Sequence, residues 1–237
     1  MIATKGAHPD LKTMHISRLS RADIQADIRD SLQYLQTDVI DIYWLHRDDP
    51  QRPVADILES LNGEVQSGTI RYFGCSNWRV ARIREAADYA KQAGWQSFVA
   101  NQPMWSMAEP NRENFGDKTL VLMDSEDLDY HRESGMAVIP YTSQARGYFT
   151  KLAHNTLKDG DIRQYDNALN RLRFKRAGEL AARYEVPITS IALSYLTSQP
   201  FPVIPIIGAH TPDQLTDSLS HADLQLSAEE VTYLAAR

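Results

Sequence analysis

The 237-residue sequence predicts an α/β fold around a parallel sheet, built from about six βα units. Two observations carry that expectation. Short β-branched runs alternate with stretches of helical apolar spacing, and polar residues recur just past each run. A third observation narrows it: no glycine-rich turn follows the first strand, as a doubly wound open sheet with a phosphate-binding crossover would want.

Residues 1–5 make a weak first strand. Ser20 with Asp23 is a capping-box pattern ahead of Ile24, Ile28, Leu32 and Leu35, one face of a helix. Val39 to Leu45 is a strand, and Pro53 suits a first helical position with Val54, Ile57, Leu58, Leu61 and Val65 inward. Thr69 to Gly74 is the next strand, followed by a helix burying Val80, Ile83, Ala87 and Ala90. Ser97 to Ala100 is a strand ending at Asn101-Gln102-Pro103, and a loop at about 104–120 leads to a helix near 124–134. Met136 to Tyr141 is a strand, after which a second long loop runs to about 165. Two helices flank Pro187. Pro202 to Ile206 is the last strand, Thr211 to Gln214 opens a helix, and Ser227 to Glu230 caps a terminal one. No break in composition marks a linker, so residues 1–237 read as one domain.

The strands end near Lys5, Leu45, Cys75, Gln102, Tyr141 and Ile207. A closed parallel barrel takes eight, so the expected architecture is an incomplete (β/α)8 barrel short of units at its N-terminal side. In such a barrel chemistry gathers at the C-terminal strand ends. The polar residues there are Lys5, His46, Ser76-Asn77, Asn101-Gln102, Tyr141 to Gln144 and Gly208 to Thr211.

Composition excludes several other classes. A net charge of -6 without a Lys/Arg block makes nucleic acid and anionic membrane poor partners. No apolar run approaches the roughly 18 residues of a membrane span. One cysteine, Cys75, rules out an internal disulfide, reads as a buried small hydrophobe and fits a reducing, cytoplasmic setting. Seven scattered histidines with no HxxxH or CxxC pairing give no metal site.

Sequence motifs add a family resemblance. Residues 2–6 and 38–49 resemble the third and fourth strands of the aldo-keto reductase family, and Gly68 to Asn77 resembles its fifth. Ala100 to Pro103 and Tyr141 to Gly147 resemble its sixth and seventh, and Val203 to Leu215 its eighth strand and nucleotide-phosphate turn. The resemblance implies reduction of aldehydes or ketones to alcohols by NADPH or NADH, with a small-molecule carbonyl as substrate. Lys5 and His46 match the family's catalytic lysine and histidine. Its proton-donating tyrosine and supporting aspartate belong to a strand before the first one matched. The resemblance therefore implies a chain lacking the first two βα units, and neither residue is carried over.

On the same resemblance, Ser76, Asn77 and Gln102 hold the nicotinamide carboxamide, and Tyr141 stacks on the ring. Thr142, Gln144, Arg146 and Gly147 flank the pyrophosphate, while Gly208, Ala209, His210 and Thr211 precede a phosphate-binding helix N-terminus. Gly208 and Gln214 stand where family members often place cations for a 2′-phosphate, and Asp217 and Ser218 face the adenine. The rival reading is a non-catalytic nucleotide-binding or interaction module, and an open barrel edge would invite self-association. Taken alone, Lys5 is a solvated terminal lysine and Asn77 a helix N-cap.

Overall fold

The computed structural model describes residues 1–236, which gather into two compact units. The first comprises Met1–Pro103 and Asp124–Met136, the second Met104–Met123 and the chain from Ala137 onward.

In the first unit, β1 (Ala3–Gly6), α1 (Arg21–Leu35), β2 (Ile40–Leu45), α2 (Val54–Ser67), β3 (Ile70–Ser76), α3 (Val80–Ala93) and β4 (Ala100–Gln102) alternate, and α4 (Ser125–Ser134) completes it. The four strands pair in parallel and in chain order. Side chains alternate between faces along a strand, so the register sorts them. Gly6, Leu45, Cys75 and Asn101 share one row, and Tyr43 and Phe73 lie two residues behind. That face meets the helices. Tyr43, Leu45, Phe73 and Cys75 join Ile24, Ile28, Ile57, Leu61 and Ile83 in one buried cluster.

The opposite face carries Lys5, Trp44 and Gly74 in one row and Ser76 with Gln102 in the next. Gly74 is required there: a Cβ would overlap the Trp44 ring and come within 2.9 Å of the Ala100 carbonyl. The register thus puts a lysine, a serine and a glutamine on the face away from the helical core.

Local signals explain most element ends. The Ser20 hydroxyl accepts the Asp23 N–H at 3.1 Å and starts α1. Gly68 and Gly94 close α2 and α3 in left-handed conformation. Two inward positions differ from expectation. Leu35 is 45% exposed because it steps off the Ile24–Ile28–Leu32 stripe into the last turn, beside the left-handed cap Gln36. In α3 the buried residue is Ala86, three beyond Ile83, and not Ala87.

The second unit holds β5 (Ala137–Val138) and six helices: α5 (Tyr148–Ala153), α6 (Asp159–Tyr165), α7 (Ala168–Tyr184), α8 (Ile188–Thr197), α9 (Pro212–Leu219) and α10 (Ala228–Ala235). Ala177, Leu180, Ile191, Leu196 and Leu234 are buried among α7, α8 and α10. The segment expected as a loop to about residue 165 contains α5 and α6.

The described residues form five strands, not six. Residues 202–206 run beside β5 with a single bridge, Val138 to Val203, and three backbone hydrogen bonds, from Val138 N–H to Pro202 O, from Ile204 N–H to Val138 O and from Ile206 N–H to Pro140 O. Ile204 and Ile206 both donate, but Pro140 has no N–H to give back, which stops a regular ladder after one bridge. The same proline shortens β5. Among the described residues, no helix is long and apolar enough to cross a membrane.

Tyr43 offers a test of this packing. Its hydroxyl is buried without a hydrogen-bond partner among the described residues, and a Cβ at Gly6 would overlap that oxygen. An unpartnered buried hydroxyl costs about 1–3 kcal/mol, and overpacking costs a similar amount. Tyr43→Phe should therefore hold or raise the melting temperature, Gly6→Ala should lower it by several degrees, and the double variant should recover part of that loss. A Tyr43→Phe protein that melts well below the parent would contradict the packing described.

Candidate active site

Strands of the first unit end at one hydroxyl. Ser76 is fully buried, and its Oγ accepts from Lys5 Nζ at 3.1 Å and from Asn77 Nδ2 at 3.2 Å. Its own proton goes to the Gln102 carbonyl at 2.7 Å. Asn77 Nδ2 also donates to the His46 carbonyl at 3.1 Å, so the end of β2 is tied to the same group. Lys5, Ser76, Asn77 and Gln102 are brought together, and His46 joins through its backbone. The His46 ring stands edge-on to His8, centroids 4.3 Å apart.

Asn77 does not cap α3. Its φ is +59°, which turns the side chain back over the strand ends, and Arg79 stands at the N-cap without a side-chain bond. Burial, then the nearby charge of Arg47, lowers the Lys5 ammonium pKa to about 8. Gln102 is 5% exposed, yet its side-chain amide makes no hydrogen bond among the described residues. An amide on a largely buried residue without a protein partner is an opening for a ligand with complementary donors and acceptors.

In the second unit, a cleft of about 680 Å³ is lined by Thr142, Gln144, Arg146 and Gly147 on one side and by Gly208, His210, Gln214, Asp217 and Ser218 on the other. Gln144 Nε2 donates to Ser218 Oγ at 2.9 Å. Gln214 serves its own loop, accepting the His210 N–H at 2.8 Å, while Thr211 caps α9 by accepting the Gln214 N–H at 3.3 Å. Ala209 is exposed beside the cleft. Tyr141 does not line it; its carbonyl accepts from Trp105 N–H at 3.3 Å. Ser143, among the expected strand-end polar residues, also lines the cleft, whereas Thr150, Lys151 and Thr189 line it without a sequence signal. Ser143, 1% exposed, donates to the Ile206 carbonyl at 2.5 Å, and Lys151 pairs with Asp161 at 2.9 Å.

Backbone strain marks the same places. Among the described residues, the non-glycine positions with positive φ fall into two groups. Gln36, Asn155 and Glu185 end or follow helices. Ala7 and Asn77 immediately follow β1 and β3 in the first unit, and Thr142, Ala145 and Arg146 follow β5 in the second. A β-branched threonine at φ +56° is costly and persists only where the surroundings impose it.

The sequence profile of the Aldo/keto reductase family matches residues 1–236. The chain belongs to the aldo/keto reductase family. It is 31% identical to the aldo-keto reductase ausK of Emericella nidulans, over 90% of this chain and 53% of that protein. It is 27% identical to an aldo-keto reductase of Fusarium vanettenii, over 91% of this chain and 57% of that protein. Versiconal hemiacetal acetate reductase of Aspergillus parasiticus is 26% identical, over 91% and 62%. The chain thus spans between about half and two thirds of the length of these relatives. In fold it is similar to a thermostable aldo-keto reductase solved with the inhibitor epalrestat, with a TM-score of 0.65, 21% identity, and coverage of 98% of this chain and 69% of that one.

Behind Gln102, this family member carries a buried relay that the sequence did not reveal. Cys75 Sγ–H approaches the Asn101 Oδ1 at 3.7 Å, and Asn101 Nδ2 lies 3.2 Å from His131 Nε2. His131 Nδ1 lies 2.9 Å from the Met136 carbonyl. A carbonyl can only accept and an amide N–H only donate, so the ring is neutral with its proton on Nδ1. Burial lowers the His131 pKa in the same sense. These residues sit on the helix-facing rows, where their spacing matches ordinary core positions. Only α4's fold-back into the first unit brings His131 to Asn101.

Helix α4 also supplies a pH test. Asp124 and Asp127 cap it reciprocally, and Asp127 is 3% exposed. Burial raises the Asp127 pKa to about 7, with the Asp124 charge adding and the Asp124 N–H bond opposing. A carboxyl raised in the folded state is most favourable to folding while protonated. That contribution is lost as pH rises from the ordinary carboxylate range through about 7. Asp127→Asn keeps an acceptor for the Asp124 N–H and removes the ionisation. The melting-temperature difference, variant minus parent, should grow between pH 5 and pH 8; a difference that stays flat or falls would contradict this.

Proposed function

We propose that the chain binds a reduced nicotinamide nucleotide, NADPH or NADH, on an aldo/keto reductase scaffold and serves the reduction of a small carbonyl compound to its alcohol. One observation carries the proposal: the side-chain amide of Gln102, on a residue 5% exposed and without an internal hydrogen bond, beside the Ser76–Asn77–Lys5 cluster. A primary carboxamide offers two donors and one carbonyl acceptor, which suits side-chain amides at this spot. Such a nucleotide supplies a hydride when bound. Taken by itself, the second unit's cleft suits a phosphate group, since Arg146 and Lys151 line it together with the loop before α9. On this reading Tyr141, Ala209, Thr211, Asp217 and Ser218 keep their expected cofactor roles, and His46 orients the carbonyl.

Proton supply separates full turnover from mere binding. Tyr43 is excluded as donor because it points to the helix-packed face, and burial holds its phenol above the ordinary range. General-acid catalysis typically contributes about 10²–10⁴-fold in rate. On this reading the chain is a single domain of the (β/α)-barrel type. The second reading, a non-catalytic nucleotide-binding module, is favoured by the same placement of Tyr43. Among the described residues β1 pairs only with β2, and that edge is the proposed route to self-association. A cytoplasmic setting suits the single, buried thiol.

Titration with NADPH and NADH, followed by nicotinamide fluorescence, tests binding. Gln102→Ala removes an amide that makes no internal hydrogen bond, so its melting temperature should stay within a few degrees of the parent. Its dissociation constant for the nucleotide should rise about tenfold, the equivalent of one lost hydrogen-bond pair. An unchanged constant, or no binding by the parent at millimolar nucleotide, overturns the proposal. NADPH consumption with 4-nitrobenzaldehyde then separates the reductase from the module.

A further inference from the structure

We infer that a cavity of the second unit, between α8 and α9, is a binding site for a small uncharged alcohol with a compact apolar body, of the size of phenol. Binding there needs no nucleotide.

The cavity measures about 120 Å³, and α8 supplies one wall through Ser190, Leu193, Ser194 and Thr197. The spacing of 190, 194 and 197 puts three hydroxyls on one helical face. Two of them are occupied. Ser190 Oγ lies 3.2 Å from His221 Nδ1, which Ser220 Oγ also holds at 2.9 Å. Thr197 Oγ1 donates to the Leu193 carbonyl one turn earlier, at 3.5 Å. From α9, Ser218 is fully engaged, donating to the Gln214 carbonyl at 2.8 Å and accepting from Gln144 at 2.9 Å.

Ser194 is different. It is 2% exposed, yet its hydroxyl makes no hydrogen bond among the described residues, not even the usual helical bond to the carbonyl four residues back. Nor is that oxygen sealed inside protein: it reaches the open space of the cavity. A serine hydroxyl donates one bond and accepts others, so it asks for a partner that does both.

The other walls say what the rest of that partner is. Leu193, Pro205, Ile207, Leu219 and Ala222 are apolar, and no Asp, Glu, Lys or Arg lines the cavity. A charged ligand would lose its hydration there without an ion pair to replace it. Leu219 and Ala222 are exposed, which places the mouth on their side and Ser194 at the back. An apolar cavity of about 150 Å³ holds benzene, so this one, open at its mouth, takes a single six-membered ring. One molecule meets both demands when its ring displaces water from the apolar walls and its hydroxyl pairs with Ser194. A hydrocarbon of the same shape leaves Ser194 unpaired and is discriminated against for that reason.

The full chain, with labelled leucine and isoleucine methyls, is titrated with phenol, toluene and benzoate and followed in ¹³C–¹H spectra. Phenol should shift the Leu193, Ile207 and Leu219 methyls saturably, with a dissociation constant of about 1–10 mM. Toluene should bind about fivefold more weakly, and benzoate should leave these methyls unmoved. Ser194→Ala removes a hydroxyl with no protein partner, so its melting temperature should stay within about two degrees of the parent. Its affinity for phenol should fall to that for toluene, with toluene unchanged. No saturable shift at about 20 mM phenol, toluene or benzoate binding as tightly as phenol, or a Ser194→Ala protein that holds phenol as the parent does overturns the inference. Phenol against toluene on the parent protein reads the same hydrogen bond without any variant. Nicotinamide fluorescence on the same sample reads the proposed function separately, so either can fail alone.

Discussion

The hydroxyl of Ser76 holds this site together. One oxygen accepts from the lysine of β1 and from Asn77, and donates to the backbone of β4; Asn77 extends the tie to the end of β2. Each bond is ordinary, and together they join the ends of four strands in a largely buried cluster. An unmet polar group there would cost more than any single bond contributes, so the cluster is specified as a set. Parallel register makes it possible. Had β3 slipped by one residue, Ser76 would face the helical core and Cys75 the site.

Parity along the strands also explains which parts of the site were legible in the sequence. Lys5, Ser76, Asn77 and Gln102 stand at successive strand ends, and the βα alternation gives those addresses from pattern alone. The relay of Cys75, Asn101 and His131 was hidden because its members occupy positions where apolar residues would serve equally well. A long excursion of chain separates Asn101 from His131, and no local spacing reports such a contact. Asn77 was misread for a related reason: an asparagine before a helix suggests a cap, whereas a left-handed backbone two residues early redirects it. The segment at 202–206 forms only one bridge because Pro140 beside it has no N–H to continue the ladder, a feature of the neighbouring strand that its own apolar content does not report. Helices α5 and α6 were missed because they run only six and seven residues, too short for periodicity to register.

The first unit also separates two phenol-and-amine chemistries that one might wish to combine. Tyr43 is one register step from Lys5 yet on the opposite face, pressed against Gly6, so sequence proximity gives no route for its proton to the cluster. What remains beside Ser76 is an amine of reduced basicity and a pair of side-chain amides. That inventory suits recognition of a carboxamide better than rapid proton donation.

The most direct measurement of the central claim follows the side-chain amide resonances in a ¹⁵N–¹H spectrum as NADPH is added to the labelled chain. The account requires the Gln102 Nε2 pair to shift saturably, together with Asn77, because these amides face the carboxamide. Saturable binding that leaves the Gln102 pair unmoved would place the nucleotide elsewhere and contradict the account.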